Sequence, residues 1–417
     1  MIKSEKHRWG IMMKLIFESW RRFVTLHEGI DPATIAKIEN AIEKGNAEIY
    51  IVGGAVRDSL LDDVPESKDV DFLVRNLTLD QIKDSIRHLG KVKAVGQAFG
   101  IVTAVIDGEE FDFAIPRTSE TKTGEKHTDF EVTTDPSASI ESDLGRRDFT
   151  INALAKDSDG KIIDLFGGRE DISKKIIRAI GNADERFSED PLRMLRAIQF
   201  ATRFDFTIEP ETLKAIKKNL SKLDSLAGER ILMEFEKAWS KGAANSDKLV
   251  KLLSDTGVGK HIFGEDFDPK PVKIVGDKQD AIMGNAMAFF VDGGDYSKMK
   301  PAALMKKHIE LAKAAASGQE VYEYASKDKE KLPLLADVLE QVGYKEESGK
   351  IKDVLDKRLP VSTKDLAIGG REIVSLGLKG PIVGRAQNKL LQAIHSGEVE
   401  NEPEALMDYL GSIRDQI

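Results

Sequence analysis

The sequence predicts an α+β protein: a small mixed or antiparallel sheet with helices in the N-terminal part, followed by an all-helical remainder. Three observations predict it. From Glu48 to Asp171, short apolar runs alternate with helical patterns and glycine turns. Inside that region Asp107-Gly108 separates two strand-like runs, Gly100 to Ile106 and Glu109 to Ile115, as a two-residue hairpin turn does. From about Ile172 the pattern changes to the helical period, with apolar residues three and four apart.

At 417 residues the chain exceeds one ordinary core. Hydrophobic residues make up 41 %, enough for a globular protein, whereas 6 % aromatic residues argue against a surface built on base-stacking platforms. A net charge of −9 is not that of a typical nucleic-acid binder, but a local basic stripe can sit on an acidic protein, so nucleic acid stays open. With no cysteine there is no disulfide, zinc-thiolate site or thiol nucleophile. No apolar run approaches the ~18 residues of a membrane span, and no secretory cleavage pattern is present. The expectation is a cytoplasmic protein without a membrane partner.

In residues 1–46, Met12, Leu15, Ile16, Trp20, Phe23 and Val24 have helical spacing and predict an N-terminal helical extension. Lys14, Arg21 and Arg22 raise a membrane-surface or targeting role, which Glu5 and Glu18 oppose. A second helix, Asp31 to Glu43, ends at Gly45. The stretch around which the chain is organised follows, EIYIVGGAVRDSLLDDVPESKDVDFLV, residues 48–74. It reads as a strand, a double-glycine turn (Gly53, Gly54), a short helix near Ala55, and a second strand carrying Asp69 and Asp71. Glycines before a helix let backbone N–H groups approach an anion, and Arg57 one turn later adds positive charge, so this is a phosphate seat. Two residues apart on a strand, Asp69 and Asp71 project from one face, as ligands of a shared divalent cation do. Each feature alone also fits an ordinary turn and a solvated acidic strand. Their succession favours phosphate and metal together.

Leu79 to Leu89 is a helix ended by Gly90. On the strand after Asp107-Gly108, Asp112 shares a face with Glu110 and Ala114, and it is the candidate third carboxylate of a two-metal site. Residues 117–139, with His127, form a polar loop without periodicity, and a loop of that length is functional or disordered. In GRRDFTINAL (Gly145 to Leu154), Arg146, Arg147 and Asp148 precede an apolar run containing Asn152, and Asp148 suits a helix cap. A second glycine turn, DLFGGRED, spans Asp164 to Asp171. SEDPLRMLRAIQFATRF has Ser188 as helix cap, Pro191 in the first turn and Leu192, Leu195, Ile198 and Ala201 as a core stripe. Glu189, Asp190, Arg193 and Arg196 fall on the other side at spacings that also suit solvated ion pairs.

Taken in order, VGGAVRD with DVD, EFDFAIPRT, RRDFTINAL, DLFGGREDI, SEDPLRMLRAIQF and GERILMEFEK resemble the class II tRNA nucleotidyltransferases, the CCA-adding enzymes, of the superfamily that includes bacterial poly(A) polymerases. Asp365 to Leu410 is more loosely similar to the tail of such enzymes. The resemblance implies a catalytic nucleotidyltransferase head at 47–171, a base-recognising helical neck at 172–242, a helical body at 243–360 and a tRNA-binding tail at 361–417. It implies that Gly53, Gly54 and Arg57 hold the triphosphate, that Asp69 and Asp71 bind the metals with Asp112 as third acid, and that the cofactor is Mg²⁺. Arg146, Arg147, Asp148 and Asn152 would contact ribose and phosphates, and the loop from Arg117 to Ser139 would move between nucleotides. Glu189, Asp190 and Arg193 match EDxxR, whose aspartate and arginine read the base. Chemistry agrees: cytosine and adenine both present an amino donor beside a ring-nitrogen acceptor, which an accepting Asp190 and a donating Arg193 complement, whereas guanine and uracil do not. The implied partners are tRNA, CTP and ATP. A partial CC- or A-adding enzyme, a poly(A) polymerase and an inactive RNA-binding module are the alternatives.

Overall fold

The computed structural model describes residues 30–61, 70–96, 100–122, 130–241 and 243–417. Asp69, His127 and the expected helix around Met12 to Val24 lie outside the described residues. The chain forms two compact units, Met1–Arg193 with Phe206–Ile216, and Met194–Asp205 with Lys217–Ile417.

The first unit opens with α1 (Pro32–Ile42), β1 (Glu48–Val52), α2 (Gly54–Asp58), β2 (Val70–Arg75) and α3 (Leu79–Ile86). It continues with β3 (Gly90–Gly96), β4 (Ile101–Ile106), β5 (Glu109–Ala114), β6 (Arg117–Lys122), β7 (Phe130–Thr134) and α4 (Ile140–Gly145). Then come a 3₁₀ turn (Thr150–Asn152), β8 (Leu154–Asp157), β9 (Ile162–Asp164), α5 (Gly168–Ser173), β10 (Ile176–Ile177) and α6 (Ala183–Glu189). The helix α7 (Leu192–Arg203) begins in this unit, and β11 (Thr207–Ile208) belongs to it.

Seven strands form one sheet in the order β3-β4-β5-β2-β1-β8-β9, antiparallel except for the parallel β2–β5 pair. The mixed sheet expected from the sequence is present. Strand parity explains its two faces. Phe72 on β2 lies in register with Phe113 on β5, their rings stack at 5.2 Å, and Phe111 lies 5.9 Å from Phe72. All three are fully buried on one face, where Ile38, Ile42, Ile82 and Ile86 of α1 and α3 are buried as well. The opposite face carries a second cluster of Val52, Leu73, Leu144, Ala153, Ala155 and Ile180.

Three local expectations are corrected and one strand is added. KVKAVG, given no element from the sequence, is the edge strand β3, whose alternation is broken by a register shift between Val92 and Ala94. Much of the polar stretch 117–139 forms the antiparallel strand pair β6–β7, because Thr- and Ser-rich segments pair when a backbone partner is available. RRDFTINAL makes the 3₁₀ turn and enters β8; no helix starts at Asp148. Finally, the stretch expected to be all helix contains the short parallel pair β10–β11.

The second unit has only helices among its described residues. Trp239 packs edge-on to Phe289, while Phe263 lies 5.2 Å from both Phe235 and Phe290 and 4.7 Å from Phe267. These rings are all buried, so the aromatic residues of this cluster serve the interior. Further apolar clusters centre on Met287, Leu335 and Leu339, and on Ile373, Leu390 and Leu406.

Because Phe72 stands directly before Leu73 on the innermost strand and is 0 % exposed, Phe72→Ala is expected to destabilise the sheet unit by about 3–5 kcal/mol. Denaturant unfolding followed by far-ultraviolet circular dichroism measures it, and an unchanged midpoint would refute this account of the core.

Candidate active site

The same parity that buries Phe72 turns Asp71 outward. Val52 at the end of β1 pairs with Asp71, and Asp71 pairs with Asp112 across the parallel β2–β5 ladder. The glycine turn after β1 and two of the three expected carboxylates therefore meet at one end of the sheet. Asp71 is exposed; Asp112 is half-buried and accepts a hydrogen bond from Thr103 Oγ1 at 2.5 Å. Side by side on adjacent strands, these are oxygen-only donors, the set a hard divalent cation takes. Among the described residues no group of three or more metal-ligating side chains occurs, and Asp69 is outside them.

Gly53 caps α2 with φ 72°, a conformation that glycine adopts without strain. Its N–H donates to the Leu154 carbonyl at 3.0 Å, so this amide is engaged within the protein. Space is the second reason for glycine here: a Cβ at Gly53 would lie 2.6 Å from Arg147 Nη1. Arg147 therefore rests directly over the turn. Beneath it Asp143, 3 % exposed, accepts from Arg147 Nη2 at 3.1 Å and lies 3.5 Å from Arg146 Nε. One buried carboxylate thus orients both arginines. Sequence reasoning missed Asp143, although its spacing of three and four residues from Arg146 and Arg147 on a helix end was the available signal.

Arg57, expected to hold the triphosphate, is buried. It is 4 % exposed, its Nε and Nη2 pair with Asp58 Oδ1 at 2.8 and 2.7 Å, and its Nη1 donates to Asn152 Oδ1. Asn152 Nδ2 in turn donates to Asp148 Oδ1 at 2.9 Å, and Asp148 also takes the Phe149 N–H at 2.8 Å. The result is a buried chain, Asp58 to Arg57 to Asn152 to Asp148, in which the amide of Asn152 has one orientation: oxygen to the cation, nitrogen to the carboxylate. Arg57 acts on the site through Asn152, whose backbone carbonyl lies 3.4 Å from Arg147 Nη1.

The base-reading candidates occupy a junction and not a single helix. α6 ends at Glu189, Asp190 is extended (φ −139°, ψ 101°), and α7 starts at Leu192. Ser188 lies inside α6, its hydroxyl donating to the Asp184 carbonyl at 2.6 Å; the capping role falls to Asp190, whose Oδ1 accepts from Leu192 N at 3.1 Å. Pro191 explains the break, since it disfavours helical backbone at the residue before it. Arg193 is anchored by Glu189 Oε2 at 3.1 Å, the Arg186 carbonyl at 3.4 Å and the Arg146 carbonyl at 2.9 Å. Beyond this junction α7 passes into the second unit. There Arg196 lies 4.0 Å from Glu234 Oε1 and 5.0 Å from the centre of the Phe200 ring.

Residues 49–178 match the family described as the poly A polymerase head domain, and residues 205–269 the one described as a probable RNA and SrmB-binding site of polymerase A. A CCA-adding enzyme of Pediococcus pentosaceus is 31 % identical over 406 residues, covering 92 % of this chain and 97 % of that protein. The CCA-adding enzyme of Bacillus subtilis is 30 % identical, over 88 % of this chain and 95 % of its own. The crystal structure of Bacillus stearothermophilus CCA-adding enzyme in complex with CTP superposes with a TM-score of 0.68 at 26 % identity, covering 93 % of this chain and 99 % of that one. Matched by such enzymes along nearly its whole length in sequence and in fold, the chain belongs to the family of CCA-adding enzymes.

Proposed function

We propose that the protein adds C, C and A to the 3′ ends of tRNA, using CTP and ATP and no nucleic-acid template. The reading rests above all on the Arg193 hydrogen bond to the Arg146 carbonyl, because it joins the base-reading junction to the loop whose Arg147 overlies the glycine turn. The RNA 3′-hydroxyl attacks the nucleotide α-phosphorus in line, the bond to the β-phosphate breaks, and pyrophosphate leaves. No covalent enzyme intermediate forms. Gly53 and Gly54 admit the triphosphate close to the backbone, and Arg146 and Arg147, held by Asp143, meet its charge. Asp148 and Asn152 hold the loop and its ribose side. Asp71 and Asp112, with Asp69, would hold the divalent cation that the family implies, which we assign as Mg²⁺; it supplies charge neutralisation at the phosphates and acidity to the hydroxyl.

Base choice falls to Asp190 and Arg193. Arg193 has five N–H donors, three of which go to protein acceptors, so its plane is held while two remain for a base edge. A held donor beside an acceptor is what selecting C and A requires, and each buried mismatch costs about 1–3 kcal/mol. We assign head, neck, body and tail to residues 47–171, 172–242, 243–360 and 361–417, with tRNA contacts in the helical parts and activity in the cytoplasm. No helix among the described residues is long and apolar enough to cross a membrane.

The decisive experiment incubates the protein and Mg²⁺ with tRNA lacking none, one, two or three terminal nucleotides, with each nucleotide alone and all together. Growth that stops after CCA is expected; a long A ladder, or arrest at CC, would replace this reading with a poly(A) polymerase or a partial enzyme. Asp71→Ala and Asp112→Ala are each expected to lower incorporation of C and A together by about 10³-fold or more while tRNA binding in a gel-shift assay persists. Wild-type turnover in either would remove that carboxylate from the site. Asp190→Asn keeps an oxygen for the Leu192 N–H but replaces a pure acceptor with a group that also donates, so misincorporation of G and U should rise by about tenfold or more. Unchanged selectivity over the four nucleotides would take base reading away from Asp190.

A further inference from the structure

The second glycine turn makes none of the nucleotide contacts assigned above, yet it is bonded to the loop that does. At the end of β9, Asp164 accepts the N–H groups of Gly168 and Arg169, both at 2.9 Å, which sets where α5 begins. Gly168 then approaches the Thr150 carbonyl so closely that a Cβ would lie 2.3 Å from its oxygen. One turn on, Asp171 is 4 % exposed and accepts from Thr150 Oγ1 at 2.7 Å and from Arg178 Nε at 3.0 Å. The Arg178 carbonyl takes the Thr150 N–H at 3.0 Å, so both donors of Thr150 end on this one pair. On its far side Arg178 meets Glu209 at 3.4 Å. Burial pushes the Glu209 carboxyl up, but the Thr212 N–H and hydroxyl and the Arg178 charge together hold it below the usual range, so it stays ionised against Arg178.

We propose that Asp171 and Arg178 are positioning residues for nucleotide addition: they clamp Thr150, and through its 3₁₀ turn they set Asn152, on which Arg57 and Arg147 are both aligned. Thr150 and Asn152 are two residues apart in one turn, so a shift of the first moves the Asn152 amide and carbonyl together. Both arginines then lose alignment, whatever base the nucleotide carries. The bonds of the clamp run to Thr150 and Glu209, and Thr150 leads through its turn to Asn152, so the clamp acts on the triphosphate side and leaves base choice alone. This inference rests on the proposed function of the same site.

The test compares Thr150→Val, which deletes the hydroxyl at nearly constant volume, with Thr150→Ser, which keeps it, in the full chain acting on tRNA that lacks its terminal nucleotides. Thr150→Val should raise the nucleotide KM by about tenfold, equally for CTP and ATP, with the tRNA KM unchanged, and Thr150→Ser should restore it to within about twofold. Asp171→Asn, read the same way, serves should Thr150→Val fail to fold. Wild-type nucleotide KM in these variants, even with a lowered melting temperature, would reduce the clamp to fold stability and overturn the proposal. A change for one base alone would overturn it too. Wild-type protein that extends no tRNA would sink the function instead, and calorimetric CTP binding by the Val and Ser variants would still read the clamp.

Discussion

The stacking of Phe72 on Phe113 across the parallel β2–β5 pair is the interaction on which the site depends. Side chains on a strand alternate with a period of two, so burying these rings commits Asp71 and Asp112 to the other face, in register with each other. Each buried ring contributes roughly 1.5–3 kcal/mol. A slip of one residue would move the rings onto the face of the Val52 and Leu73 cluster and turn the acids into the packed aromatic face, a change that desolvation of two carboxylates makes prohibitive. The register of these two carboxylates is thereby stabilised by apolar packing on the opposite face of the sheet.

Around that end of the sheet, charge is arranged in layers. The innermost layer is the buried run from Asp58 through Arg57 and Asn152 to Asp148, where every charged group has a partner and breaking one link leaves a charge uncompensated. Over it lies Arg147, set by Asp143 below and by the missing side chain of Gly53 beside it. Beside this, the Arg193 guanidinium ties the α6–α7 junction to the Arg146 carbonyl. Such preorganisation suits a reaction in which the protein forms no covalent bond and works by holding charge in place.

The sequence was most legible where one local period decided the outcome. The glycine turn, the Asp107-Gly108 hairpin and the strand positions of Asp71 and Asp112 could be read from spacing because a turn or strand places those groups whatever lies around it. Reading failed where two local preferences competed. Asp148 looks like a helix cap but serves a 3₁₀ turn, since the Thr150 N–H and the Asp148 carbonyl are taken by the backbone at Arg178 and Ile180. Ser188 has the composition of a cap, but Pro191 moves the helix start and gives the cap to Asp190.

What the sequence alone determined is the set of chemical groups and their local order: an acidic strand, a glycine turn, a pair of arginines and an acid–arginine motif in one succession along the chain. Those follow from covalent spacing and strand or helix period. Only the tertiary structure decided which of these groups are available. It buried Arg57 against Asp58 and Asn152, laid Arg147 over Gly53, and joined Arg193 to the Arg146 carbonyl 47 residues away. Whether a cation meets a substrate or another side chain depends on partners distant in the chain, and no local pattern encodes that distance.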